Sequence, residues 1–468
     1  MLFLSESILT FFILTTFMSG LLVRKSQQRT YSFSMSILIV SLVGLQLALL
    51  PISHMETTGW IVDSMSQYFK LFSCILSIYI LICTKNYIKK SKIKSFEFYI
   101  LFLTTLLGVF VVCSSNDFMV LFVGLELIAL PLYAMLALFN SRKSYEASLK
   151  YFILGAIASG LFLFGISLVY GITGDVTFFI PRNTISLSEK LQAIAVLMVL
   201  IGLIMKIGMA PFHYWVPDVY EGAPLPVLMV IATLPKYAYL AAVLRLSVSN
   251  TLSISIIPQM IIVLSVVSIF IGNLGALTQT SLKRLLGFSS IAHMGFMLLA
   301  LYPSTQNFVP IFYLIVYSIT TLIALTATIF LCENNEIDEI DSYQGLYLKR
   351  PLHAFIYMTA FFSMAGVPPL AGFMAKLNVF YMLFYQAEYQ TWIYTAAVIA
   401  ILFAVIGTAY YIRFIRVLYF EKKMQTRFKT PTYGQNLLIG VPTSLLLILG
   451  VAPGLLIEIC QNATPMIK

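Results

Sequence analysis

Apolar runs about as long as a bilayer is thick recur along the whole chain, and they limit the fold more than any other feature. Fourteen can be counted, near 5–23, 31–50, 64–84, 95–113, 117–138, 147–171, 188–213, 226–247, 254–277, 284–301, 309–332, 352–385, 391–414 and 437–458. About 20 apolar residues span the hydrocarbon core as a helix. The chain of 468 residues is 60% hydrophobic and only 10% charged, far from the roughly 25% charged residues of a soluble domain. The expected fold is therefore an all-α integral membrane protein of about 14 transmembrane helices, packed as one polytopic domain over 1–468. The twelfth run is the longest and holds Pro368–Pro369, which predicts two half-helices rather than one rod.

The net charge of +10 reports topology, not a nucleic-acid partner. Lys and Arg crowd every second loop: "RKSQQR" after the first run, "KNYIKKSKIK" after the third, "SRK" after the fifth, "LKR" after the ninth, "YLKRP" after the eleventh. The loop after the thirteenth adds Arg416, Lys422, Lys423, Arg427 and Lys429. The alternate loops "PISHMETTG", "SSND", "SVSNTLSIS", "YPSTQN" and "QAEYQ" hold neither residue; Arg182, Lys190 and Lys468 are the departures. This is the positive-inside pattern. It predicts cytoplasmic basic loops and both termini on the outer side. The first run lacks a basic leader and is followed by basic residues, so it reads as a retained helix.

The five cysteines (Cys74, Cys83, Cys113, Cys332, Cys460) stand singly, with no CxxC pair, and no GxGxxG or Walker-type loop occurs. Redox, metal and nucleotide chemistry inside this chain are not expected.

Ionisable groups deep in a span cost roughly 2.5–3.5 kcal/mol each on insertion scales, and commonly line ion or proton paths. Five lie deep: Glu126 in "VGLELIALPLYAM", Lys206 in "MKIGMAPF", Lys236 in "ATLPKYAYLA", His293 in "SSIAHMGFMLL" and Lys376 in "GVPPLAGFMAKLNVF". Lysines near helix ends usually snorkel to the headgroups, the reading favoured for Lys85 and Arg413. Lys150, within the first turn or so of the sixth run, is open to either reading. Asp63 and Lys70 read as interfacial. A lone His is more often a hydrogen-bonded structural residue. Lys236 reads as the only buried ionisable group on the eighth run.

Lys206 and Lys376 both accompany Pro/Gly interruptions, five runs apart. An odd displacement reverses direction through the membrane, so residues 95–247 and 254–414 can form two inverted five-helix units with discontinuous helices 7 and 12. Interrupted spans in matching halves point to a transport site. A broken helix frees backbone polar groups that must be buried in protein or meet water. Water at that depth lets a lysine exchange a proton, and a carboxylate such as Glu126 tunes its affinity for one.

The stretches 124–138, "KIGMAPFHYWVPDVYEGAP" (206–224), "SLKRLLGFSSIAHMGFMLLAL" (281–301), "YQGLYLKRP" (343–351) and 366–380 resemble the antiporter-like subunits of respiratory complex I. The resemblance covers roughly residues 60–430. Length and Lys376 favour the N branch: L subunits carry a long C-terminal extension, and M subunits typically carry glutamate where this chain has Lys376. The resemblance implies a proton path in which Glu126 pairs with Lys206 and Lys236 joins two half-channels. It also implies that His293 is a polar link, that Lys376 releases protons outward, and that Lys150 lies near the glutamate. Residues 95–247 would be the entry half and 254–414 the exit half. Pro217, Gly222 and Pro224, in the loop that marks the family, are expected to be structural.

The resemblance further implies no cofactor in this chain. Flavin and iron–sulfur clusters would sit in partner subunits, and quinone would be the substrate of the complex. Partners would be the other membrane subunits of complex I, antiporter-like paralogues and small subunits among them, in the inner membrane of a bacterium. The competing readings are a subunit of a multisubunit cation/proton antiporter and the membrane arm of a hydrogenase.

Overall fold

A computed structural model describes residues 4–49, 54–91, 95–178, 188–249, 251, 257–301, 308–332, 336–386, 391–421 and 428–464. The basic residues Lys92, Lys94, Arg182, Lys422, Lys423, Arg427 and Lys468 lie outside these. Among the described residues the chain is almost wholly helical. Its one sheet is a two-residue antiparallel pair, Met55–Glu56 against Ile61–Val62. Among the described residues, twelve helices are long and apolar enough to cross a membrane. Two further apolar runs fall on a helix of mixed polarity and on a pair of short helices described below.

The chain divides into two compact units. The first comprises residues 1–207, 222–258 and 462–468; the second comprises 208–221 and 259–461.

The first unit holds α1 (Leu4–Leu22), α2 (Lys25–Leu49), α3 (Ser64–Lys90), α4 (Ser95–Cys113), α5 (Phe118–Ala137), α6 (Arg142–Thr173), α7 (Ser188–Ile207) and α9 (Leu225–Val248). Its helix starts are written locally. The Asp63 carboxylate accepts from the Ser66 backbone N–H while the Asp63 N–H donates to the Ser66 hydroxyl oxygen, a capping box on α3. Asp117 and Ser141 cap α5 and α6 through the N–H groups of Val120 and Ser144. Gly174, with φ +71°, ends α6. Helix α9 is apolar all round and buried along its length, the signature of a central helix. Helices α6 and α7 pack closely because Gly165 and Gly202 present no side chain: a Cβ at either would lie within 3 Å of Val199 or of Phe162 and Ala158.

The second unit holds α8 (Trp215–Gly222, but for its last residue), α10 (Ile257–Leu277, but for its first two residues), α11 (Leu282–Leu299), α12 (Phe308–Leu331), α13 (Leu346–Lys349), α14 (Pro351–Ala365), α15 (Ala371–Gln386), α16 (Thr391–Phe420), α17 (Tyr433–Val451) and most of α18 (Gly454–Asn462). Helix α12 is its buried centre. The twelfth apolar run is two half-helices, α14 and α15, separated by Gly366–Leu370.

Three boundaries differ from the sequence reading. The seventh run, expected to reach residue 213, stops being helical at Ile207, because Gly208 takes φ +83°. The sixth helix starts at Arg142, so Lys150 stands two turns inside it. The fourteenth run breaks at Ala452–Pro453, between α17 and α18.

Candidate functional site: two buried lysine centres

Lys206 is the penultimate residue of α7. Beyond it the chain leaves helical geometry until Trp215, so the last carbonyls of α7 lack their usual i+4 donors. Gly208 is required there on two counts: its positive φ, and a Cβ that would come within 2.2 Å of Val216 Cγ2. The Lys206 side chain is 3% exposed, and its Nζ donates to Glu126 Oε1 at 2.9 Å. Glu126 projects from α5 with 25% of its side chain exposed. The Ser159 hydroxyl of α6 donates to the same Oε1. An ammonium and a hydroxyl thus converge on one carboxylate oxygen, held by three helices.

Lys236 belongs to the same unit. It is buried in the centre of α9. The preceding Pro235 has no N–H to offer the carbonyl of Ile231, which leaves a backbone acceptor near the lysine's level. Lys150 pairs with Glu146 one turn before it on α6, Nζ to Oε1 2.8 Å, with side chains 42% and 60% exposed.

In the second unit, Lys376 rises from α15 and donates to the carbonyl of Ala365 at 2.9 Å. Ala365 ends α14, so the ammonium rests at the negative end of a half-helix. The Phe296 ring lies 5.5 Å from Nζ, a cation–π distance. Gly366, with φ +86°, lies against the side chain: a Cβ there would meet Lys376 Cδ at 3.0 Å. Phe296 stacks on Tyr313, whose hydroxyl is 2.7 Å from His293 Nδ1. The other ring nitrogen, Nε2, lies 3.1 Å from the hydroxyl of Tyr411, which also meets Ser289 Oγ at 2.5 Å. His293 and Lys376 therefore belong to one packed cluster whose polar ends are an imidazole and an ammonium.

A family described as NADH:quinone oxidoreductase/Mrp antiporter, transmembrane, matches residues 115–404. NADH-quinone oxidoreductase subunit N of Coxiella burnetii is 37% identical over 431 residues, covering 89% of this chain and 88% of that protein. The protein of the same name from Polaromonas naphthalenivorans is 35% identical over 463 residues, covering 94% and 92%. The chain belongs to the NADH-quinone oxidoreductase subunit N family.

As a member of the subunit N family it is a multi-pass helical protein of the bacterial inner membrane. A chain of respiratory complex I from Thermus thermophilus superposes with a TM-score of 0.85 at 30% identity, covering 98% of this chain and 99% of that one. The Mrp complex of Dietzia sp. supplies a similar fold, TM-score 0.83 at 18% identity. The antiporter and the oxidoreductase share the architecture, and the sequence relatives place this chain on the oxidoreductase side.

Against this subunit N fold, the expected site residues fall into two groups, one in each unit: Glu126, Lys206 and Lys236 in the first, His293 and Lys376 in the second. Lys150 makes its ion pair on α6 itself. Several residues escaped the sequence reading. Arg245, in the last turn of α9, is buried and forms a two-pronged ion pair with Asp63 at 2.7 and 2.8 Å, so Lys236 is not the only buried ionisable group on that helix. Lys70, read as interfacial, is packed within the protein, 1% exposed and paired with Glu6 of α1. Burial pushes the Asp63 carboxyl up, yet the Arg245 guanidinium and the Ser66 hydrogen bonds more than offset this and hold it below the usual carboxylate range. Tyr313 and Tyr411, which hold His293, were also missed. An aromatic residue in an apolar run carries no polar signal until its hydroxyl's partner is known.

Proposed function

We propose that this chain translocates protons as a non-redox subunit of the NADH-quinone oxidoreductase membrane arm, through the ordered groups Glu126–Lys206, Lys236, His293 and Lys376. The Glu126–Lys206 pair carries the reading. A lysine with a 3% exposed side chain and a single carboxylate partner at 2.9 Å is stable as an ammonium while the pair is closed, and is driven to give up its proton when the pair opens. Changing one separation therefore changes a proton affinity, which is what a pump driven by conformational change requires.

Residues 95–247 act as the entry half and 254–414 as the exit half. Lys150 stands toward the entry side, and Lys376 releases outward. Quinone reduction, with flavin and iron–sulfur chemistry, takes place in partner subunits and supplies the energy. This chain holds no cofactor of its own. The partners are the antiporter-like paralogues and small membrane subunits. The alternation of basic loops supports cytoplasmic basic loops and both termini on the outer side.

The test uses the assembled complex in membrane vesicles. Lys206→Met removes the proton site; Lys206→Arg keeps the charge but holds its proton, since the arginine pKa exceeds about 12. Both variants are expected to assemble and to lose proton-coupled quinone reduction. Full pumping by Lys206→Arg would refute the proton-carrying role.

A further inference from the structure

Helix α12 is buried along nearly its whole length, yet one face of it is polar. Tyr313, Tyr317, Thr321 and Thr328 are spaced by four, four and seven residues, which sets them in a line along the helix. One end of the line reaches His293: Tyr313 bonds its Nδ1, and the Tyr317 ring centroid lies 5.3 Å from the imidazole. The other end reaches α14, where the Thr328 hydroxyl lies 2.8 Å from the Tyr357 hydroxyl.

One turn before Tyr357, on the same face of α14, stands His353. It is 2% exposed, and its Nε2 has no hydrogen-bond partner. Thr321, between the two ends, is also 2% exposed with an unpartnered hydroxyl oxygen. Ala324 is the small residue between Thr321 and Thr328. A sealed imidazole nitrogen and a sealed hydroxyl are costly without partners. Bridging water is what ordinarily satisfies buried polar groups of this kind. Helix α14 also begins directly after the basic segment Lys349–Arg350.

We propose that the α12–α14 seam is a second proton entry, internal to the second unit. His353 collects a proton from the face that carries the basic loops. Tyr357, Thr328, water beside Ala324, Thr321 and Tyr317 carry it to His293. Thr321 and Thr328 are roughly 10 Å apart along the helix at 1.5 Å per residue, a gap that water molecules must bridge. Only N–H and O–H bonds change: each group accepts one proton and gives one up, and the hydroxyls then reorient. The charged neighbour of His353 is Arg350, whose Nε donates to the Lys429 carbonyl at 3.2 Å. The hydroxyl that α12 brings to this end of α14 is that of Thr328, and Cys332, just past the end of α12, also acts on Tyr357.

The inference rests on the proton-translocating role proposed above, and the experiment separates the two. His353→Leu and His353→Gln are made in the assembled complex, and proton-coupled quinone reduction is measured in vesicles. Both are expected to assemble and to fall at least about tenfold, since a positioned proton-transfer group commonly supplies about 100-fold or more. Full turnover in His353→Leu, or rescue by His353→Gln alone, overturns the branch, because leucine suits a dry packed site and glutamine a merely hydrogen-bonded one. A readout independent of pumping is access: His353→Cys should react with 2-aminoethyl methanethiosulfonate applied from the cytoplasmic face, read at position 353 by peptide mass spectrometry. No modification of the native complex, with modification after denaturation, overturns the proposal. Normal pumping in Lys376→Met would remove the main path and this branch together, whereas normal pumping in His353→Leu would remove the branch alone.

Discussion

The ammonium of Lys376 donates to the carbonyl of Ala365, eleven residues earlier in the chain, at 2.9 Å. Its holder is not a carboxylate but the end of a half-helix, and Gly366 keeps that end open. Gly366→Ala would strain a left-handed residue by roughly 1–2 kcal/mol and press a methyl against the lysine stem. The expected outcome is an assembled complex whose proton-coupled turnover falls while electron transfer from NADH to a soluble acceptor persists. Unchanged coupling would show that the contact with Ala365 does not matter.

Glu126 should be more sensitive than Ser159, though both meet at one oxygen. Glu126→Gln leaves the buried Lys206 ammonium without a counter-charge. Ser159→Ala removes one hydrogen bond to a charged group, worth about 1.5–3 kcal/mol. We predict near-complete loss of pumping in the first and a partial, roughly tenfold or greater loss in the second, the lower end of that range converted at about 1.4 kcal/mol per decade. Equal effects would contradict this ordering.

Lys236 offers a cleaner separation of charge from proton exchange. Lys236→Met and Lys236→Arg are both expected to assemble and both to lose coupled turnover. A purely structural charge predicts that arginine rescues and methionine does not. Proton pumping in vesicles at matched levels of assembled complex decides between them.

The Asp63–Arg245 pair should govern stability and not transport. Arg245→Met strands a buried carboxylate, at a cost of about 3–5 kcal/mol, so the thermal denaturation midpoint of the purified complex should drop. Turnover per assembled complex should stay normal. The pH dependence follows from the lowered Asp63 pKa. The folded form holds its proton more weakly than the unfolded form, so the stabilisation is full above the ordinary carboxylate value, about 3.9, and is lost as pH falls below it. The destabilisation by Arg245→Met should therefore shrink as pH falls through the carboxylate range; one that grew as pH fell would reverse this sign.

His293 depends on two tyrosines. Tyr411→Phe removes the partner of Nε2 and also releases Ser289, while Tyr313→Phe removes the partner of Nδ1 alone. We expect Tyr411→Phe to cost more coupled turnover than Tyr313→Phe. The reverse order would mean that the Nδ1 contact sets the ring.

Hydropathy made the all-helical membrane fold legible, and the cost of placing an ionisable group in an apolar run singled out Lys206, Lys236 and His293, all of which are buried. The break between α14 and α15 was legible in Pro368–Pro369. The interruption beside Lys206 was likewise legible in the Gly and Pro of its segment, but the exact end of α7 was not: the apolar run continues past Ile207, and the helix stops there because Gly208 takes a positive φ. Partners 182 residues apart, such as Asp63 and Arg245, were out of reach for the same kind of reason. Each looked like an ordinary terminal charge, and only packing shows that they bury one another. The two tyrosines on His293 come from α12 and α16, and nothing in either run marks them apart from the other aromatic residues around them.

Helix α11, which carries His293, is not among the helices apolar enough to cross a membrane unaided, whereas its neighbours α10 and α12 are strongly so. It begins with Lys283 and Arg284 and holds Ser289, Ser290 and His293. During synthesis such a segment partitions poorly into lipid by itself, and its polar groups find their partners only after Tyr313 of α12 and Tyr411 of α16 have been made. The ribosome must therefore add more than a hundred residues beyond His293 before that imidazole is fully bonded. Biogenesis, and the quality-control machinery that watches it, sees the helix that carries His293 in its least protected form. Selection on this chain acts on how it enters the membrane as well as on how it works there.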